Sequence, residues 1–176
     1  MPAIDIDSFL AIPRVASLHL NRDGSRLVAT VQTVAADGKR FAGALWELDP
    51  EGGRDPVRLT QSARGDTAQG FLPDGSIVFT SVRPDPESTD TAAPEVASLW
   101  LLPAGGGEAR RILAPAAGVD RVAVARDVPV VVAVVAAHPG TTGLEEDRLR
   151  EQARIDAGVS AQLIEEYPSR WWDHRL

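Results

Sequence analysis

Comparing the chain with itself brings out a repeat, and a period of tens of residues signals stacked supersecondary units rather than one irregular domain. The segment N-R-D-G-S-R-L-V-A-T, residues 21–30, matches L-P-D-G-S-I-V-F-T, residues 72–80, with Asp23 and Asp74 aligned at a spacing of 74 − 23 = 51. Further on, A-L-W-E-L-D-P-E-G-G from Ala44 matches S-L-W-L-L-P-A-G-G-G from Ser98, which sets Trp46 against Trp100 at 100 − 46 = 54. V-R-L-T, residues 57–60, then pairs with R-R-I-L, residues 110–113. A weaker third copy follows in V-A-R-D-V-P-V-V-V-A-V-V, with Asp127 at 127 − 74 = 53 beyond Asp74 and Val128 in place of the glycine.

Each full copy reads as four short strands. The first ends ahead of Asp-Gly, a strong hairpin signal, for which a type I′ turn is expected because glycine accepts positive φ at no steric cost. Asp23 and Asp74 are read as turn formers rather than metal ligands or acids. In the second strand Leu27, Ala29 and Val31 alternate with Val28, Thr30 and Gln32. Both sets are fairly apolar, as they must be when sheets pack on both sides. The third strand carries Trp46 or Trp100, expected to pack between sheets, and ends in a glycine turn into a short fourth strand.

Four-stranded units of this period match the blades of a β-propeller. The expected fold is therefore all-β: a partial propeller of two complete blades and part of a third, with a short helical insertion. Residues 1–14 form a lead-in, 15–62 blade 1, 63–115 blade 2, and 116–176 a partial blade 3 with its insertion at 142–166. Because a seven-bladed ring would need roughly 360 residues, the chain is expected to be the N-terminal part of something longer. An open arc with apolar end faces is also expected to self-associate or to be completed by another chain.

Composition narrows the function classes. The net charge of −7 and the lack of any basic run argue against a duplex nucleic acid, whose binding depends on neutralising phosphates. There is no cysteine, so disulfides, thiolate zinc sites and a cysteine nucleophile are excluded. Asp5 and Asp7 stand where a secretory signal would be basic, and the longest apolar run, Val128 to Ala137, falls well short of the roughly twenty residues a spanning helix needs. That run is β-branched and reads as a buried strand. A cytoplasmic protein, without membrane or nucleic-acid partners, is the expectation.

After the second strand of the third copy the composition changes. T-G-L-E-E-D-R-L-R-E-Q-A-R-I-D-A-G, residues 142–158, is rich in helix formers. Thr142 and Glu145 form an expected capping box, Gly158 suits the C′ position, and Leu149, Ala153 and Ala157 make a narrow apolar stripe. Ser160 could cap a second short helix, Ala161 to Glu166. The chain then gathers Tyr167, Trp171, Trp172 and His174, weak interaction candidates more readily explained by packing. No second histidine stands at metal-ligand spacing, so neither metal nor cofactor is expected.

Three of these stretches carry a family resemblance: S-F-L-A-I-P-R-V-A-S from Ser8, the D-G-S-R-L-V repeat, and above all R-I-D-A-G-V-S-A-Q-L-I-E-E-Y-P-S-R-W-W-D-H-R-L, residues 154–176. Together they resemble the N-terminal propeller region of prolyl-oligopeptidase-family serine peptidases, in the acylaminoacyl-peptidase-like branch. The resemblance spans essentially the whole chain, and its last block is the most specific part. It implies a propeller over a C-terminal α/β-hydrolase domain of the same parent protein. That propeller would gate the access of peptide substrates to a Ser-Asp-His triad in the other domain, and no triad member maps onto these residues.

The residues agree on that silence. A nucleophile elbow needs G-x-S-x-G, and the nearest approach, Gly158-Val159-Ser160-Ala161-Gln162, lacks the second glycine and follows a helix. His19, His138 and His174 are scattered, and no phosphate loop, dinucleotide fingerprint or H-E-x-x-H occurs. Gly105-Gly106-Gly107 precedes a strand, whereas a phosphate cradle needs a helix. No catalytic residue is expected. Three functions remain: the gating propeller of a serine peptidase, a non-enzymatic propeller that binds proteins, and a truncated product without function.

Overall fold

A computed structural model describes residues 5–86 and 96–159 and the backbone of 170–171 and 174–175. The chain is mostly β and forms two compact units, Met1–Ala137 and His138–Leu176.

The first unit opens with a one-turn helix α1 (Ile6–Leu10) in the lead-in, where the sequence reading placed no helix. Asp5 accounts for it: its Oδ1 accepts the Ser8 N–H at 2.7 Å and satisfies one of the amides a first turn leaves unpaired. Two antiparallel four-stranded sheets follow, each in simple sequential order. The first holds β1 (Arg14–Leu20), β2 (Leu27–Val34), β3 (Phe41–Leu48) and β4 (Val57–Arg58). The second holds β5 (Asp66–Phe71), β6 (Ile77–Ser81), β7 (Ser98–Leu102) and β8 (Arg110–Leu113). A two-stranded hairpin, β9 (Val119–Val124) and β10 (Val131–Val135), closes the unit.

The Asp-Gly hairpins differ from the expected type I′ turns. Gly24 and Gly75 take positive φ, 77° and 84°, but each ends a four-residue turn by donating its N–H to the Asn21 or Leu72 carbonyl. Asp23 and Asp74 sit inside those turns, accepting the N–H of Ser25 and Ser76 at 2.9 Å. The first loop is one residue longer, so the strands after it are offset by 50 residues: Leu20 pairs with Leu27, and Phe71 with Ile77.

Register assigns the faces. Val28 and Thr30 share a side with Leu45 and His19, whereas Leu27 and Ala29 share the other with Trp46, Leu48, Leu18 and Leu20. In the second sheet Ile77 and Phe79 share a side with Leu102, Trp100 and Ala68. The core is Val28 and Leu45 packed on Ala68, Phe71, Ile77, Phe79, Trp100 and Leu102, with Phe79 and Trp100 stacked at 6.4 Å. Trp100 thus lies between the sheets, but Trp46 does not. It is half-buried on the face of the first sheet turned away from the second, which corrects the expected inter-sheet role. The valine-rich run is corrected too: Val132 and Val134 are exposed, because only the opposite face of β10 is turned toward the second sheet.

Two polar links tie the sheets together. Ser17 Oγ donates to Thr30 Oγ1 at 2.7 Å, and Thr30 Oγ1 accepts the Ala68 N–H at 2.9 Å. Arg26 clasps Glu47 with two bonds of 2.8 and 3.0 Å and donates across the gap to the Gly75 carbonyl at 2.9 Å. Its guanidinium lies over the Phe71 ring.

The second unit contains helix α2 (Leu144–Asp156) and a short antiparallel pair, β11 (Arg170–Trp171) and β12 (His174–Arg175). The N-cap is Gly143, one residue later than expected. Glu146 rather than Glu145 therefore reaches back, accepting the Thr142 N–H and hydroxyl at 2.9 Å. At the other end Gly158 sits at C′ with φ 63°, and Val159 N–H bonds the Arg154 carbonyl in a Schellman closure. Leu149, Ala153 and Ala157 are exposed, so the expected apolar stripe is not the contact face. Asp147 is buried instead, accepting the His138 N–H at 2.6 Å, while Glu151 bonds the His138 ring at 2.8 Å. The proposed helix from Ala161 lies outside the described residues.

Candidate functional site

The first strands of the three copies, β1, β5 and β9, lie side by side, with β5 between the other two. Where they run into their hairpin turns they surround a cleft of about 450 Å³. Gly70 permits that approach: a Cβ there would stand 3.3 Å from the Val124 side chain, and its φ of 149° already disfavours any other residue. Leu18, Leu20, Phe71 and Val124 give the cleft an apolar wall.

Its polar groups come from the same strand ends. His19 Nε2 donates to the Ala68 carbonyl at 3.0 Å, which leaves Nδ1 as the ring's remaining hydrogen-bonding atom. Gln69 donates from Nε2 to Thr80 Oγ1 at 3.2 Å. Asn21 is spent on its own turn, bonding the Arg26 N–H and Ser25 hydroxyl. Arg22 reaches Asp127 of the β9–β10 turn at 3.1 Å in an exposed pair, and Arg126 also lines the cleft. This is a recess that can hold an extended apolar or polar segment and offer guanidinium groups to an acidic one. No serine is among the residues that line it.

Elsewhere in the first unit, Asp66 is fully buried and paired with Arg83 at 2.6 Å. Arg83 also lies over the Phe79 and Trp100 rings. That places the pair in the packing between sheets. Among the described residues, no group of three metal-binding side chains occurs, and no helix is long and apolar enough to cross a membrane.

Of the interaction candidates from the sequence, Trp171 and His174 are partners in the β11–β12 register, while Tyr167 and Trp172 lie outside the described residues. Ser160 does too. The structure instead gathers His19, Arg22, Gln69 and Arg126, none of which any motif singled out. The available signal was positional, since all stand where a first strand meets its turn in one of the three copies. No protein-family model matches the chain, and no curated protein does either.

Proposed function

We propose that the chain is the N-terminal propeller part of a serine peptidase resembling the acylaminoacyl and prolyl oligopeptidases, which gates the access of peptides to a C-terminal α/β-hydrolase domain. The observation that carries this reading is the polarity of the sheet packing. Val28 and Thr30 of the first sheet look toward the second, and their counterparts by hairpin alignment, Val78 and Thr80, look away from the first, toward β9. Equivalent faces point the same way around a shared cleft lined by first strands, as blades do around an axis. The family assignment rests on the resemblance of residues 154–176. The cleft then serves as a passage, its apolar wall and arginines screening peptides by size and charge. The reading also takes the protein to be cytoplasmic, in keeping with a chain that has no cysteine.

The alternative is a non-enzymatic propeller that binds proteins, favoured by the exposed Arg22 and Arg126 at the cleft. Reading the coding sequence past Leu176 separates the two. Further Asp-Gly repeats followed by G-x-S-x-G support the peptidase, and repeats followed by a stop support the binding module. Absence of any further repeat overturns both.

A further inference from the structure

We propose that the cleft binds a peptide segment through a carboxylate, with Arg126 as the anchor and with His19 Nδ1 and Gln69 Oε1 as acceptors for the peptide's own N–H groups. The inference rests on the reading of the cleft as a peptide passage and adds the class of peptide it takes.

Charge sets the cleft apart from the rest of the chain. Acidic side chains outnumber basic ones by 25 to 18, yet no residue lining the cleft is acidic and two, Arg22 and Arg126, are arginines. The two differ in what they already hold. Arg22 is tied to Asp127 at 3.1 Å, whereas the exposed Arg126 has no hydrogen bond or ion pair among the described residues. Its guanidinium can therefore give two parallel N–H bonds to an incoming carboxylate without first breaking a bond of its own. A cation at an apolar recess also attracts an anion more strongly than one on open surface, because the low-dielectric wall focuses its field.

The unspent side-chain atoms of His19 and Gln69 accept rather than donate. With Nε2 given to the Ala68 carbonyl, the neutral form of the His19 ring presents Nδ1 as an acceptor. Gln69 uses its Nε2 on Thr80 Oγ1 and the Thr67 carbonyl, at 3.2 and 3.4 Å, which leaves Oε1. A carboxylate has no use for acceptors, but a peptide main chain brings N–H groups that do. One free cation beside two acceptors thus matches a carboxylate carried on a peptide better than a fully ionised inorganic anion, which has no hydrogen to donate. His19 lies on the face of the first sheet turned to the second, and Gln69 bonds Thr80 on the face turned to β9. Neither position depends on what covers the outer faces of the unit.

Isothermal titration calorimetry on the 176-residue chain tests this with short peptides that share one apolar sequence. The first carries an internal glutamate and an amidated end, the second a free C-terminal carboxylate and no acidic side chain, and the third neither. One or both of the first two should bind, which identifies the source of the carboxylate, and the third should bind about tenfold more weakly or not at all. Arg126→Gln should weaken binding by about tenfold. Arg121→Gln makes the same change in net charge about 16 Å back along the same segment, at a residue outside the cleft that pairs with Asp120, and should leave binding unchanged. Asp127→Asn should tighten binding by releasing Arg22, whereas Asp120→Asn, an equal change in charge, should not. Equal binding of all three peptides, binding of none, or equal effects within either charge-matched pair of variants would overturn the proposal. The peptidase reading fails separately, in the coding sequence past Leu176.

Discussion

The Thr30 hydroxyl oxygen accepts the main-chain N–H of Ala68 at 2.9 Å, so a side chain of the first sheet satisfies the buried backbone of the second. β5 otherwise has no strand on that edge to bond, and Thr30 is wholly buried. Thr30→Val keeps the shape and removes the acceptor, leaving a buried N–H unpaired. Chemical denaturation should register a loss of about 1–3 kcal/mol. Thr30→Ser keeps the acceptor and should lose only about 1 kcal/mol, for one buried methyl.

Strand positions were legible because the Asp-Gly turns and the alternation on either side of them are local. Which alternating face becomes core was not. Trp46 and Trp100 occupy equivalent places, as do Val28 and Val132, and in each pair only the stacking of another sheet decides burial. The cleft was illegible for a related reason: His19, Gln69 and Arg126 meet only when three first strands pack side by side. At α2 the error was a single residue, and that was enough to transfer the capping role from Glu145 to Glu146. The capped turn itself, and Gly158 at its far end, followed from residue chemistry that acts within one helical turn.

The sheets approach each other closely at Gly43, where a Cβ would stand 2.4 Å from the Asp66 carbonyl oxygen and 3.0 Å from the Thr30 methyl. Backbone on one side and a buried threonine on the other cannot yield without parting the sheets. Gly43→Ala should therefore cost about 1–3 kcal/mol through overpacking. Gly53→Ala is the control, since its Cβ would meet only the Asp49 carboxylate at 3.4 Å. Its unfolding midpoint should stay within about 0.5 kcal/mol of wild type.

Arg83 forms an ion pair with Asp66, whose carboxylate is fully buried. Removing the cation alone leaves that charge facing apolar surroundings, so Arg83→Met should destabilise by about 3–5 kcal/mol. Adding Asp66→Asn removes the stranded charge, and the double variant should be less destabilised than the sum of the two singles. Additive losses in a double-mutant cycle would mean that the pair is not coupled.

Glu47 ties stability to pH. The bidentate bond from Arg26 holds its carboxyl below the usual range, an effect larger than the opposing one of partial burial. The folded state thus binds fewer protons at this site than the unfolded state does, and stability rises with pH across the interval between the two values. The contribution is complete above the unfolded glutamate value of about 4.3, and it is lost as pH falls through the lower folded one. Glu47→Gln should be less stable than wild type at neutral pH, with the gap closing as the solution is acidified through that interval. Arg26→Met should behave likewise in slope but sit lower throughout, because it also gives up the bond to the Gly75 carbonyl and the contact with Phe71. Urea midpoints measured from neutral pH downward read both effects, and a gap between wild type and Glu47→Gln that does not change with pH would contradict the assignment.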